Sequence, residues 1–372
     1  MNLEILKRAR PPASTFDFSS ASVGNLFLTG ARLFSGSFES AIYLLGSICG
    51  VPSDLVRVIP AINSNFSHHI SASLEDGTVI VGQNSISHPS EATALQPRPG
   101  ERRPSLLLAD EEEDASSASD GAPYEDNHLP GSLPSLRNKN INFSKSQTED
   151  LQSRISRIWY INPYGQEIRP PANPRVLGEI RHAHTIIYSI GSLFTSLIPS
   201  LILRGVGKAI LSSPARHKIL ILNGSIDRET GPPSHPFTAI DFIEAITRAG
   251  EDSHGHRHIG RYINKDTDTA TTASALPLPY TSYVTHILYL EGPGAPKVDR
   301  GRLAEMGIET LRLYGRKITS NDGQTVVGVR YDSTALIQAL EIVMGRLGGD
   351  DMIKGMLGGL NRRNTLENPV RK

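Results

Sequence analysis

The feature that most constrains the fold is a pair of continuous apolar strands separated by an apolar helix near the middle of the chain. Thr185-Ile186-Ile187-Tyr188 and Lys218-Ile219-Leu220-Ile221-Leu222 are short hydrophobic runs without polar alternation. That pattern marks strands covered on both faces. Residues 197–211 lie between them and predict an apolar helix. Strand, helix and strand at this spacing make a βαβ unit, which requires a parallel pair and a right-handed crossover.

The same grammar continues downstream. A helix over 237–248 places Ile240, Ile243, Ala245 and Ile246 on its apolar positions, and His286-Ile287-Leu288-Tyr289-Leu290 predicts a third parallel strand. A short helix over 298–306, a strand at Leu311-Arg312-Leu313-Tyr314 and a closing helix over 333–347 follow. Upstream, a helical pattern covers 26–45, short strands are expected at 56–62 and 70–74, and Asp76-Gly77 signals a hairpin returning through Val79-Ile80-Val81. Ile158-Trp159-Tyr160-Ile161 reads as a strand closed by the turn Asn162-Pro163-Tyr164-Gly165, and 174–180 as a short helix.

Two stretches break this order. Residues 90–150 are rich in Pro, Ser and Arg and carry the acidic run Asp110-Glu111-Glu112-Glu113-Asp114, so a disordered insertion is expected. Residues 250–278, rich in Thr, Ala, His and Asp, read as a second insertion, and 348–372 as a flexible tail. The expectation is one α/β domain over 16–347 with two interruptions.

Charge narrows the ligands. Lys+Arg and Asp+Glu are equal at 38 each among 372 residues, so no broad basic surface is available for nucleic acid or an anionic membrane. An anionic ligand must then be held locally. Arg204 and Lys208 interrupt the best apolar run, which excludes a membrane span there, and the opening Met-Asn-Leu-Glu-Ile-Leu-Lys-Arg has no signal-peptide core. The single Cys49 permits neither an internal disulfide nor a thiolate cluster, and its neighbours Leu44, Leu45 and Ile48 suggest a buried position. Ser253-His254-Gly255-His256-Arg257-His258 lacks the carboxylate or thiolate partners of a metal site and reads as an exposed loop. His88, beside Pro89, is a candidate acid or base that reads better as structural.

In open parallel sheets, ligands bind beyond the carboxyl ends of the strands. The first loop so placed is Ser189-Ile190-Gly191-Ser192-Leu193-Phe194-Thr195-Ser196. Gly191 permits a close backbone approach, Ser192, Thr195 and Ser196 supply hydroxyls, and a free helix start would present N–H groups to a phosphate. An ordinary helix cap is the alternative. Gly24 and Asn25 mark a second candidate, opening a helix with an amide able to read a base, sugar or phosphate, or merely capping it. The third follows the 218–222 strand: Asp227, Arg228 and Glu229 form either a surface ion-pair cluster or part of a site. No Walker A loop, Gly-x-Ser-x-Gly elbow or HExxH helix is present.

Four stretches together resemble one family. Ala21-Ser22-Val23-Gly24-Asn25-Leu26-Phe27-Leu28-Thr29-Gly30, Gly82-Gln83 with Ile86-Ser87-His88-Pro89, Ala172-Asn173-Pro174-Arg175-Val176-Leu177 and Gly191-Ser192-Leu193-Phe194-Thr195-Ser196-Leu197-Ile198-Pro199 are similar to the CofD-like (UPF0052) proteins. That family includes 2-phospho-L-lactate transferase and a bacterial gluconeogenesis factor that binds a UDP-sugar. The resemblance spans about residues 16–347 and implies a Rossmann-like three-layer α/β/α fold with a mainly parallel sheet. It also implies a nucleotide-diphosphate ligand around Gly24, Asn25, Asn173, Gly191, Ser192, Thr195 and Ser196, with Mg²⁺ bridging phosphate oxygens.

Two departures qualify it. The family's Gly-rich opening strand-loop-helix is missing from this sequence, so the domain is expected to be N-terminally incomplete. Its Gly-Pro-Gly-Ser-Leu turn here begins Ser189-Ile190. The implied activity is phospholactyl transfer from a guanosine-diphosphate-linked donor to an alcohol acceptor. The alternatives are a non-catalytic UDP-sugar-binding regulator or a truncated, inactive homologue. The expected protein is a cytoplasmic homodimer whose partner is a nucleotide or nucleotide-sugar, not a nucleic acid or a membrane, with no resident protein-bound metal.

Overall fold

A computed structural model describes residues 22–64, 66, 68–87, 133, 136, 150–254, 278–319 and 326–345. The chain divides into two compact units, Met1–Val176 and Leu177–Lys372. Most of the expected insertions at 90–150 and 250–278, the tail at 348–372 and His88 lie outside the described residues.

Gly36 decides how the first helical run folds. The pattern expected as one helix over 26–45 is two helices, α1 (Val23–Ser35) and α2 (Phe38–Ile48). Gly36 takes the left-handed conformation (φ 71°) that ends a helix without steric penalty, and its N–H donates to Arg32 O at 2.8 Å. Ser37 then caps α2 by accepting from the Ser40 N–H. Cys49 lies just beyond α2 and is exposed, contrary to the burial its apolar neighbours suggested. Of those neighbours, Leu44 and Ile48 are also exposed, while Leu45 is half-buried.

Strands β1 (His69–Leu74) and β2 (Val79–Val81) form the expected hairpin, with Asp76 Oδ1 accepting from the Thr78 N–H at 2.8 Å. A short helix α3 (Gln83–Ser87) follows. β3 (Ile155–Ile161) pairs antiparallel with the other side of β1, and β4 (Glu167–Ile168) with β3, giving the order β2-β1-β3-β4. The strands β1, β2 and β3 were legible in the sequence, but β4 and the antiparallel sheet that the four make were not. The strand expected at 56–62 does not form. Pro60 has no N–H to give a ladder, and Val56 and Val58 are exposed rather than packed.

The C-terminal unit is built on four parallel strands. After α4 (Pro174–His182) come β5 (Thr185–Tyr188), β6 (His217–Ile221), β7 (His286–Leu290) and β8 (Glu309–Leu313), ordered β5-β6-β7-β8 with parallel register throughout. This is the α/β architecture that the βαβ unit required. On one face Ile219, Ile221, Leu288, Leu290 and Leu313 pack against Ala339, Leu336 and Leu340 of α10 (Ser333–Val343). The alternate residues Leu220, Ile287 and Tyr289 are buried as well, so both faces are covered.

The helix expected over 197–211 is in three pieces. A π-helical turn (Leu193–Leu197) runs into α5 (Ile198–Leu201), and α6 (Val206–Ser212) starts afresh after Gly205. α7 (Ala239–Ser253) extends past the expected end at residue 248. α6, α7 and the short α8 (Tyr280–Tyr283) pack closely at two glycines. A Cβ on Gly207 would lie 2.1 Å from Gly250 O, and one on Gly250 would lie 2.1 Å from the Tyr283 ring. Ser253 Oγ bridges the same contact, accepting from Gly207 N–H and donating to Gly250 O, both at 2.7 Å.

α9 (Arg300–Glu305) connects β7 to β8. A hairpin of β9 (Gly315–Thr319) and β10 (Val326–Tyr331) follows, which the sequence reading did not anticipate. Tyr331 ties it to the sheet by donating to Leu222 O at 2.6 Å, with Leu288 O at 3.1 Å.

Candidate functional site

The loops beyond the carboxyl ends of β5, β6 and β7 are bound to one another by hydrogen bonds. Asn223, after β6, donates its side-chain N–H to Gly191 O in the loop after β5 at 3.1 Å. Ile226 N–H reaches Gly294 O in the loop after β7 at 2.7 Å. Such loops carry ligands in open parallel sheets because the sheet fixes their ends while their backbone groups stay unpaired.

Residues 227–230 build the chemical centre of this region. Arg228–Thr230 forms one 3-10 turn, capped by Asp227, whose Oδ1 accepts from the Thr230 N–H at 3.0 Å and from its hydroxyl at 2.7 Å. The turn directs Glu229 inward, where it is 2% exposed. Glu229 Oε2 accepts from the N–H groups of Phe194 (2.9 Å) and Thr195 (3.0 Å), and Oε1 from the Thr195 hydroxyl at 2.5 Å. Phe194 meets Phe237 edge to face at 5.6 Å, adding apolar surface beside the carboxylate. Burial pushes the Glu229 carboxyl up to about 7; the Thr195 bond opposes it, the Asp227 charge adds to it, and the two amide bonds oppose it.

This corrects one expectation and decides another. The N–H groups of Phe194 and Thr195, read as free to receive a phosphate, are held by an internal carboxylate. Of the two readings of Glu229, surface ion-pair cluster or part of a site, the burial excludes the first: it is a buried clamp between two loops. Its place after a buried parallel strand was the one sequence signal pointing to it. Asn223 offered no stronger signal than its position in the same loop.

The remaining loop residues are disposed differently. Ser192 stands at the head of the π-helical turn without a side-chain cap bond, and its carbonyl accepts from the N–H groups of Ser196 (3.0 Å) and Leu197 (3.2 Å). Ser196 is exposed. A Cβ on Gly191 would come within 3.1 Å of Ser196 Cβ, which ties the turn's tightness to that glycine. Gly191, Ser192, Thr195 and Ser196 thus share one turn of the C-terminal unit.

Gly24, Asn25 and Asn173 belong to the N-terminal unit. Gly24 and Asn25 occupy the first turn of α1, with Asn25 exposed and its carbonyl accepting from the Thr29 hydroxyl at 2.8 Å. Asn173 is 3% exposed. Its side-chain N–H donates to Pro60 O (3.1 Å), its oxygen accepts from the Arg175 N–H (3.0 Å), and its own N–H donates to Ala61 O (2.8 Å). It therefore caps α4 and pins the 60–61 segment. Arg175 in turn contacts Glu39 and donates to Tyr43 Oη at 2.6 Å.

Among the described residues no three His, Cys, Asp or Glu side chains converge as a metal site, and no helix is long and apolar enough to cross a membrane.

Comparison with known proteins adds an independent line. A family model described as 2-phospho-L-lactate transferase CofD matches residues 6–312. An uncharacterized protein of Saccharomyces cerevisiae is 42% identical over 245 residues, covering 62% of this chain and 52% of that protein. The gluconeogenesis factor of Bacillus subtilis is 23% identical over 232 residues, covering 62% of this chain and 49% of that protein. The chain thus spans about half the length of these curated relatives. Two crystal structures of a UPF0052 protein from Bacillus halodurans superpose with TM-scores of 0.51 and 0.50 at 19% and 20% identity, covering 91% of this chain and 77% of that one. At that identity the superposition speaks to the fold.

Proposed function

The chain belongs to the CofD family, and from that premise we propose that it binds a nucleotide diphosphate at the loops beyond β5 and β6. The observation that carries this reading is the 189–196 turn, held by Asn223 and Glu229 from the next loop while the Ser192 hydroxyl is not used as a cap and Ser196 is exposed. A rigid turn with unspent hydroxyls is preorganised to orient phosphate oxygens. In the N-terminal unit, Gly24 and Asn25 are nucleotide-contact candidates by family resemblance, and Asn173 acts through the cap it makes.

The activity proposed is phospholactyl transfer. An alcohol oxygen of the acceptor forms a bond to the phospholactyl phosphorus, the bond from that phosphorus to the nucleotide phosphate breaks, and the alcohol proton passes to solvent. No residue of this chain is assigned as base. Such transfer needs mainly positioning and charge neutralisation. Mg²⁺ would neutralise the diphosphate; lacking a protein cage among the described residues, it would be held chiefly by phosphate oxygens and water.

A second reading is a regulator that binds a UDP-sugar without turnover. It is favoured by the relatives of Bacillus subtilis and Halalkalibacterium halodurans that bear the name gluconeogenesis factor. Calorimetric titration with GDP, UDP and UDP-N-acetylglucosamine, with and without Mg²⁺, separates the two. Binding of GDP together with turnover of a phospholactyl-guanosine donor on a flavin-like acceptor is expected for the transferase. Tight UDP-sugar binding without turnover marks the regulator, and no binding by any of the three defeats both.

A further inference from the structure

The turn proposed to meet phosphate is already held by an anion that belongs to the protein. Glu229 reaches it from the 3-10 turn after β6 and occupies both amides and the hydroxyl that the turn offers on that side. No titratable side chain comes from the 193–197 turn itself, and the Phe194 and Phe237 rings around it carry none. Among the described residues, the charged group acting on Glu229 is Asp227 of its own turn.

Resting on the nucleotide-site reading above, we propose that Glu229 is the positioning residue of the 189–196 loop, and that a phosphate anion engaging Ser192 and Ser196 binds there together with a proton. The chemistry follows from the short bond between Glu229 Oε1 and Thr195 Oγ1. With Glu229 ionised, the Thr195 hydroxyl must donate to it and has only lone pairs left for a ligand oxygen. An incoming phosphate would also bring a second negative charge into a poorly solvated region, which favours the neutral form of the carboxyl.

Protonation at Oε1 reverses that one bond. The new O–H donates to Thr195 Oγ1, and the Thr195 hydroxyl is released to donate to the ligand. Oε2 keeps both amides, so the loop retains its shape while its charge and one donor change. Where the free carboxyl is ionised, binding takes up to one proton from solvent for each anion. A carboxyl that titrates near 7 places this exchange in the neutral range, so phosphate binding weakens as pH rises above it, by up to about tenfold per pH unit.

The test has an arm that needs no ligand. In ¹⁵N-labelled protein the amide resonances of Phe194 and Thr195 should titrate together between pH 5.5 and 8.5, and Glu229→Gln should abolish that titration. Amides that do not titrate, or that titrate unchanged in the variant, overturn the proposal. If Glu229→Gln does not fold, Thr195→Val replaces it: losing the hydroxyl that stabilises the carboxylate should move the midpoint upward, and an unmoved midpoint counts against the clamp. The second arm titrates inorganic pyrophosphate, GDP and UDP at pH 6 and pH 8 in buffers of different ionisation enthalpy. Wild type should take up a proton at pH 8 that Glu229→Gln does not; the ligand's own titration is common to both and cancels. Equal uptake overturns the linkage. Absence of binding by wild type defeats the nucleotide reading and the linkage with it, while titrating amides still establish the clamp.

Discussion

Asn173 and Glu229 are both buried polar side chains, and their partners give them opposite consequences. Asn173 satisfies a carbonyl and an amide of its own unit, so Asn173→Ala removes the cap on the Arg175 N–H and the side-chain bond to the half-buried Pro60 carbonyl. A loss of about 1–3 kcal/mol is expected in urea unfolding. Glu229 is a carboxyl raised from 4.5 to about 7 in the folded chain. Between those values the native state holds a proton that the unfolded state has released, so stability falls as pH rises through the window and levels off above it. The size is on the order of 3 kcal/mol. Comparing urea unfolding at pH 5 and pH 8, wild type should lose more stability than Glu229→Gln. A variant with the same pH slope would place the effect elsewhere. Sequence named Asn173 through the family resemblance and Glu229 through its place after the 218–222 strand. It could not show which way Glu229 turns, since the capping box that buries it uses short-range bonds common to surface turns.

At the scale of elements, periodicity carried the reading wherever an element is buried on both faces. β6 and β7 lie where their continuous apolar runs placed them, because a parallel strand buried on both faces has no polar face to confuse the pattern; β5 also lies where its run placed it although Ile187 is exposed, and β8, expected at 311–314, forms at Glu309–Leu313. The errors fall where small residues interrupt helices. Gly36 and Gly205 break runs whose hydrophobic spacing continues across them, and in the β9–β10 hairpin, which was missed, β9 is charged and largely exposed while β10 packs only Val329 and Tyr331 on the core. Glycine context also sets the energetics. Gly250→Ala drives a methyl into Tyr283 and should cost about 1–3 kcal/mol or more. Gly46→Ala, in α2 with no neighbour within 4 Å, should stabilise by up to about 1 kcal/mol. Thermal unfolding of the two variants should therefore shift in opposite directions; a Gly250→Ala variant no less stable than wild type would refute the packing described for α6, α7 and α8.

For the molecule as a whole, the sequence carried the fold class and the family through two kinds of signal. The strand-helix-strand order required the parallel sheet, and the 191–199 run carried the resemblance that the family match over residues 6–312 now bears out. The antiparallel sheet of the N-terminal unit escaped because its pairings join β1 to β3 across more than eighty residues, a separation that local patterns do not encode. Zero net charge acquires a more specific meaning. Beyond counting against a broad basic surface, it leaves the proposed anion to a turn of hydroxyls whose amides are already taken by Glu229. The central claim is that a nucleotide diphosphate meets this turn at Ser192. The direct measurement is calorimetric titration of GDP and UDP into wild type and Ser192→Asp at pH 6.5, with folding of both checked by circular dichroism. Binding by wild type and a loss of at least about tenfold, or roughly 1.4 kcal/mol, in the variant is the expected result. Equal affinity in the two proteins, or no binding by wild type, would contradict it.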